Sequence, residues 1–171
     1  MKKKHGWIGR WDFRCFDAEG NLKWEDLNRE NFLADEGEQM MLDVFLRAGT
    51  APTGFYVRLF NDTPVETDTL ADLLNEPAGT YGYAAQAVAR DATAAGWPTL
   101  ALDSGDYQAI AKTVTFTASG GSIGPVTHGV LATTSNNTGK HISSVALSTS
   151  RTLANGESLQ VTFKVKLSEA A

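Results

Sequence analysis

The sequence predicts a mainly β chain, an antiparallel, jelly-roll-like β-sandwich with one amphipathic α-helix and an N-terminal β-hairpin and arm. Three observations carry that expectation. Apolar and polar residues alternate over much of the chain, most cleanly where Leu159, Val161, Phe163, Val165 and Leu167 interleave with Gln160, Thr162, Lys164 and Lys166, the period of a half-buried strand. Turn-forming pairs punctuate the alternation at short spacing, with Asn155-Gly156 the strongest. Only one stretch, about residues 36–48, carries a helical period.

The elements follow in order. Trp7, Gly9, Trp11, Phe13 and Cys15 fall on one face and Arg10, Asp12 and Arg14 on the other. After the turn Asp17-Ala18-Glu19-Gly20-Asn21, the alternation resumes at Leu22-Lys23-Trp24-Glu25. Residues 7–26 therefore read as a hairpin with tryptophans on one face, preceded by a basic arm, Met1-Lys2-Lys3-Lys4-His5. This gives residues 1–28 as an arm and Trp-rich hairpin, and 29–171 as a single sandwich domain. The helix should be capped by Asp35, with Glu38 closing a capping box, and ended by Gly49 and Pro52. Its stripe Met41, Val44, Phe45 and Ala48 is assigned to core packing. Gly54–Phe60, apolar on both faces, reads as a central strand. Asp68–Leu74 is a short helix at most, Tyr83–Arg90 an alanine-rich strand, and Asp103-Ser104-Gly105-Asp106 a loop. Strands are then expected near 110–117, 125–134, 141–148 and 159–167, with Asn155-Gly156 making a hairpin between the last two.

Composition excludes several classes. The 171 residues are 42% hydrophobic and 20% charged, the range of one ordinary globular domain. A net charge of −5 argues against a nucleic-acid surface, which is normally basic. No apolar run approaches the ~20 residues of a membrane span, and no apolar segment follows the basic residues to make a secretion signal. Cys15, the only cysteine, cannot form an internal bridge and reads as a small buried apolar residue.

The search for chemistry yields no site. His128 and His141 could face each other across a hairpin, but two histidines are half a metal site. Glu66, Asp68, Asp72 and Glu76 cluster, although a carboxylate run of this kind is usually a solvated face, and it lacks the order of a calcium loop. No enzyme and no cofactor are expected. The tryptophans supply the one ligand hypothesis, a carbohydrate-binding module with exposed stacking platforms. Trp7, Trp11, Phe13 and Trp24 are the interface candidates.

The run Phe55-Tyr56-Val57-Arg58-Leu59-Phe60-Asn61-Asp62-Thr63-Pro64, with Asp68-Thr69-Leu70, Glu76-Pro77 and Gly82-Tyr83, resembles a group of tailed-bacteriophage virion structural proteins. So do Gly96-Trp97-Pro98-Thr99-Leu100, Leu131–Ser135 and Ala146–Leu153. The resemblance covers most of the chain from about Asp35 onward. It implies a capsid cement (decoration) protein, a trimer or dimer on the capsid surface, with the major capsid protein as partner and assembly in the host cytoplasm. A tail, neck or fibre accessory protein is the alternative. The resemblance carries no active residues.

Overall fold

A computed structural model describes residues 6–168; the basic arm expected at Met1–His5 lies outside them. The first hairpin forms as expected, β1 (Gly6–Phe16) and β2 (Leu22–Glu30), with the Asp17 carboxylate accepting the backbone N–H groups of Glu19 and Asn21 across the turn. It is no appendage. β1 lies between β2 and the last strand, β11 (Ser158–Ser168), and pairs with β11 from Gly6 opposite Ser168 to Phe16 opposite Ser158. The proposed division at residue 28 therefore cuts through one sheet.

That sheet has six strands. Beyond β11 come β7 (Asp106–Ile110) and the edge strand β6 (Thr99–Asp103), while β8 (Val114–Thr117) pairs with the other end of β11. The second sheet has five strands in the order β3 (Phe32–Leu33), β10 (His141–Leu153), β9 (Ile123–Ala132), β4 (Gly54–Phe60) and β5 (Gln86–Ala89). All pairings are antiparallel. The two sheets enclose one core of Trp11, Phe13, Phe116, Phe163, Val145, Leu131 and their neighbours, the sandwich that period-two patterning predicts. β4 is central, as its two-sided apolarity requires.

The chain changes sheet after β2, β5, β8 and β10. The last change corrects an expectation. Asn155-Gly156 does form a tight turn, with Gly156 at φ 86° and the Glu157 N–H bonded to the Ala154 carbonyl, yet it joins β10 of one sheet to β11 of the other. A turn signal fixes the local reversal and leaves open which sheet the next strand enters. The hairpin in this region lies elsewhere: β6 and β7 are joined by Ser104 and Gly105, both at positive φ, in a segment expected to be only a loop.

The helix, α1 (Asp35–Leu46), starts one residue earlier than the capping box requires, and Ala34 occupies the N-cap position with no side-chain acceptor. Glu36 instead reaches out of the first turn and accepts the backbone N–H groups of Leu70 and His141. Its acidity is strengthened by these bonds and by Lys140, against the opposing effect of burial. The helix ends before Gly49, and Ala48 takes the left-handed position with φ 57°. Gly37 is its only buried residue. A Cβ there would lie 2.4 Å from the Ile142 carbonyl oxygen, so helix and β10 meet backbone to backbone. This contact fixes the rotation of the helix. Gly37, Met40, Met41 and Val44 face inward, and Phe45, assigned to the core from its spacing, points outward.

Candidate interaction surfaces

The four expected interface residues divide. Trp11 and Phe13 are completely buried, stacked on one another at 5.9 Å, with Trp11 4.8 Å from Phe163. They are core residues, and the expectation of a partner contact at these two is corrected: a strand inside a sandwich turns its apolar face to the opposite sheet. Trp7 and Trp24 are half-buried. Trp7 packs on Phe163, and Arg151 covers the Trp24 ring at 4.4 Å, a cation–π contact that occupies the face a ligand would need. Trp97 is wedged edge-on between Phe55 and Phe163. All four indoles are thus spent on internal packing, not set out as a flat stacking platform for sugar.

The polar residues singled out from sequence are also engaged structurally. His128 and His141 do not face each other, because His128 pairs with Ala146 and His141 with Ala132. His141 is buried, with Nδ1 2.9 Å from the Asp68 carbonyl oxygen and Nε2 2.5 Å from Ser144 Oγ. A carbonyl only accepts, so Nδ1 carries the proton and Nε2 accepts from the serine hydroxyl. The pair looks like a nucleophile and its base, yet both residues are sealed from solvent. It serves as a staple between β10 and the 61–85 loop.

The acidic cluster disperses in the same way. Asp68 accepts the Val65 N–H, and Asp72 accepts the Thr69 N–H and hydroxyl in a capping box around the 3-10 turn Leu70–Asp72. Glu76 is drawn inward to Arg58. The Arg58 side chain is fully buried and gives Nε and Nη2 to the Glu76 carboxylate, Nη1 to the Asn136 carbonyl and Nη2 to Asn137 Oδ1. The Tyr83 hydroxyl donates to Glu76 at 2.6 Å and accepts the Leu59 N–H. Burial and the neighbouring carboxylate push that phenol far above its ordinary pKa. Sequence reasoning missed this network, because residues 58, 76, 83 and 136–137 meet only through the fold. Among the described residues, no three histidine, cysteine or carboxylate side chains converge as metal ligands would.

What the surface does offer is apolar. On α1, Leu42, Phe45 and Leu46 form an i, i+3, i+4 group that is largely exposed, Phe45 at 87%. Leu42 and Leu46 line a groove together with Met40, Ala51 and Pro52. A second patch lies at the β6–β7 end of the six-stranded sheet, where Leu100, Leu102, Tyr107 and Leu167 are 71%, 64%, 62% and 64% exposed. Clusters of this kind mark interaction sites far more often than isolated exposed leucines do. The spacing of the α1 residues was visible in the sequence; their outward direction was not.

A search of curated proteins finds no match. The model of a family described as podophage GP4 fiber I protein gp80 matches residues 33–166, a span running from β3 through nearly all of β11. The chain therefore belongs to the podophage GP4 fiber I protein gp80 family, and with it among the structural proteins of phage virions.

Proposed function

We propose that this chain is a fibre-associated structural subunit of a phage particle, held in place by the exposed face of α1 and acting without catalysis. The observation that carries the reading is the outward group Leu42, Phe45 and Leu46, which lies inside the span matched by the fibre-protein family. Apolar side chains displayed on a helix anchored backbone to backbone form a preorganised contact, and such contacts lose little entropy on docking. The internal use of the ionisable groups supports the non-enzymatic reading: Arg58, Glu76, His141 and Glu36 hold loops and strands together.

The capsid-cement reading, with the major capsid protein lattice as partner, draws on the same surfaces and differs in where the chain sits. Immunogold labelling of purified particles, with copy number from quantitative mass spectrometry, separates the two. Label on fibres, at a copy number matching them, is the expected result. Label over the shell at a stoichiometry tied to the major capsid protein would replace fibre by cement. Phe45→Glu should abolish incorporation into particles while leaving the isolated chain folded, because that side chain has almost no contacts within the subunit. Normal incorporation of the variant would remove α1 from the proposal.

A further inference from the structure

α1 displays two kinds of side chain along one line. Asp35, Glu38, Leu42 and Phe45 stand at i, i+3, i+7 and i+10, a spacing that returns to the same side of a helix. All four are exposed, and so is Leu46 beside the last two. The outward ridge of α1 is therefore acidic in its first turn and apolar in the turns that follow. Glu66 adds to the acidic end, because its carbonyl accepts the Asp35 N–H at 2.9 Å and brings that exposed residue next to the helix start.

The carboxylates of this ridge stand apart from the others on the helix. Glu36 is matched by Lys140 and Asp43 by Arg47. Among the described residues, Asp35, Glu38 and Glu66 have no ion-pair partner.

The groove beside the ridge is closed to further backbone pairing. Its strand-side wall, Thr133 and Thr134, prolongs β9, which already lies between β10 and β4. Both threonine hydroxyls are engaged, Thr133 accepting the Lys140 N–H and Thr134 donating to the Asn136 carbonyl. Whatever docks here docks by side chains, not by adding a strand.

We propose that this face receives an amphipathic helix of a different virion protein. Its apolar row seats against Leu42, Phe45 and Leu46, and its lysines or arginines meet Asp35, Glu38 and Glu66. The inference rests on α1 as the attachment face and supplies the chemistry of its partner. Helix-in-groove recognition uses apolar anchors at i, i+3, i+4 spacing, the spacing the ridge itself offers. Charge decides the rest. Three uncompensated carboxylates repel nucleic acid and anionic lipid and draw a basic segment. That segment comes from another polypeptide, because among the described residues α1 is the only α-helix and its own first turn is acidic.

Particles assembled without the chain, incubated with the purified full chain, test this by the salt dependence of binding. Wild-type binding should weaken as sodium chloride rises, since charges at the rim of a contact set its association rate and salt dependence. The triple variant Asp35→Asn, Glu38→Gln, Glu66→Gln should bind ~10-fold more weakly at low salt and lose most of that dependence, with circular dichroism unchanged. Phe45→Ala should bind more weakly at every salt concentration and keep the wild-type slope. In intact particles, a zero-length carboxyl-to-amine crosslinker should join these carboxylates to lysines of another virion protein, in a segment with apolar residues at helical spacing. Salt-independent wild-type binding, a triple variant that behaves as wild type, or crosslinks confined to other copies of this chain would each overturn the proposal. If Phe45→Ala is impaired while the triple variant is not, α1 remains the attachment face and only the basic partner falls. If Phe45→Ala binds as wild type, attachment through α1 falls as well.

Discussion

Arg58 sits with its guanidinium wholly out of water, and four acceptor contacts plus the Phe60 ring at 4.9 Å stand in for the lost hydration. A buried charge stripped of its counter-ion is far costlier than a missing surface pair. Glu76→Ala should therefore destabilise the fold by roughly 3 kcal/mol in urea titration, while Lys140→Ala, which breaks an exposed pair with Glu36, should cost well under about 1 kcal/mol. Cys15 is held inert by the same exclusion of water: burial above all, then the nearby Glu157 charge, pushes its pKa up to about 11. Since thiolate is the reacting species, a rise from 9.0 to about 11 should slow labelling by a thiol-specific disulfide reagent about 100-fold, before steric protection is added. Full reactivity should return in denaturant. His128 and His141 are both lowered, first by burial. Each binds its proton more tightly when unfolded, so stability is complete above the ordinary histidine pKa of ~6.5 and declines as pH falls through that value. The urea midpoint should drop between pH 7 and pH 5, and drop less in His141→Asn. An unchanged slope in that variant would remove His141 as a source of the effect.

At the level of elements, α1 shows how far periodicity carries and where it stops. The spacing of Met41, Val44 and Phe45 located the helix to within a residue or two, because an amphipathic stripe is a property of the segment alone. It misjudged the rotation, because Gly37 lets β10 approach on a side no hydrophobicity count would choose. Gly37→Ala should push the helix off Ile142 and cost about 1–3 kcal/mol, the range for overpacking a tight contact, although alanine is the better helix former. A neutral or stabilising result in thermal melts would show that the contact yields. The strands behaved similarly. β1, β2 and β11 were legible from alternation and β4 from its two-sided apolarity, while β6 was passed over, since Thr99–Asp103 is a short run exposed on both faces. The signal for its hairpin was present in Ser104-Gly105 between short alternating runs, a two-residue loop of the kind strands favour. The surface patch at this hairpin was missed along with it. The interface candidates taken from the hairpin at the start of the chain erred in the opposite direction: large aromatics on a small unit suggested a partner chain, and the partner of Trp11 and Phe13 is the second sheet of the same molecule.

For the whole molecule, sheet membership was beyond the sequence, because which strands pair depends on contacts between residues a hundred or more positions apart, as with β1 and β11. The consequence for truncation is direct. Removing residues 1–26 would take away Trp11, Phe13 and Cys15 and expose the inner edge of β11. It should yield insoluble or unfolded protein, not a soluble sandwich lacking an attachment arm. A truncated chain with a cooperative thermal transition would contradict this. The adjacency of β1 and β11 also sets a clock on biogenesis. A ribosome releases the first strand long before its neighbour is translated, and until then the aromatic face of β1 has no lasting cover. Productive folding thus waits until β11 has been made, and only then can the chain present the surfaces by which it joins a particle.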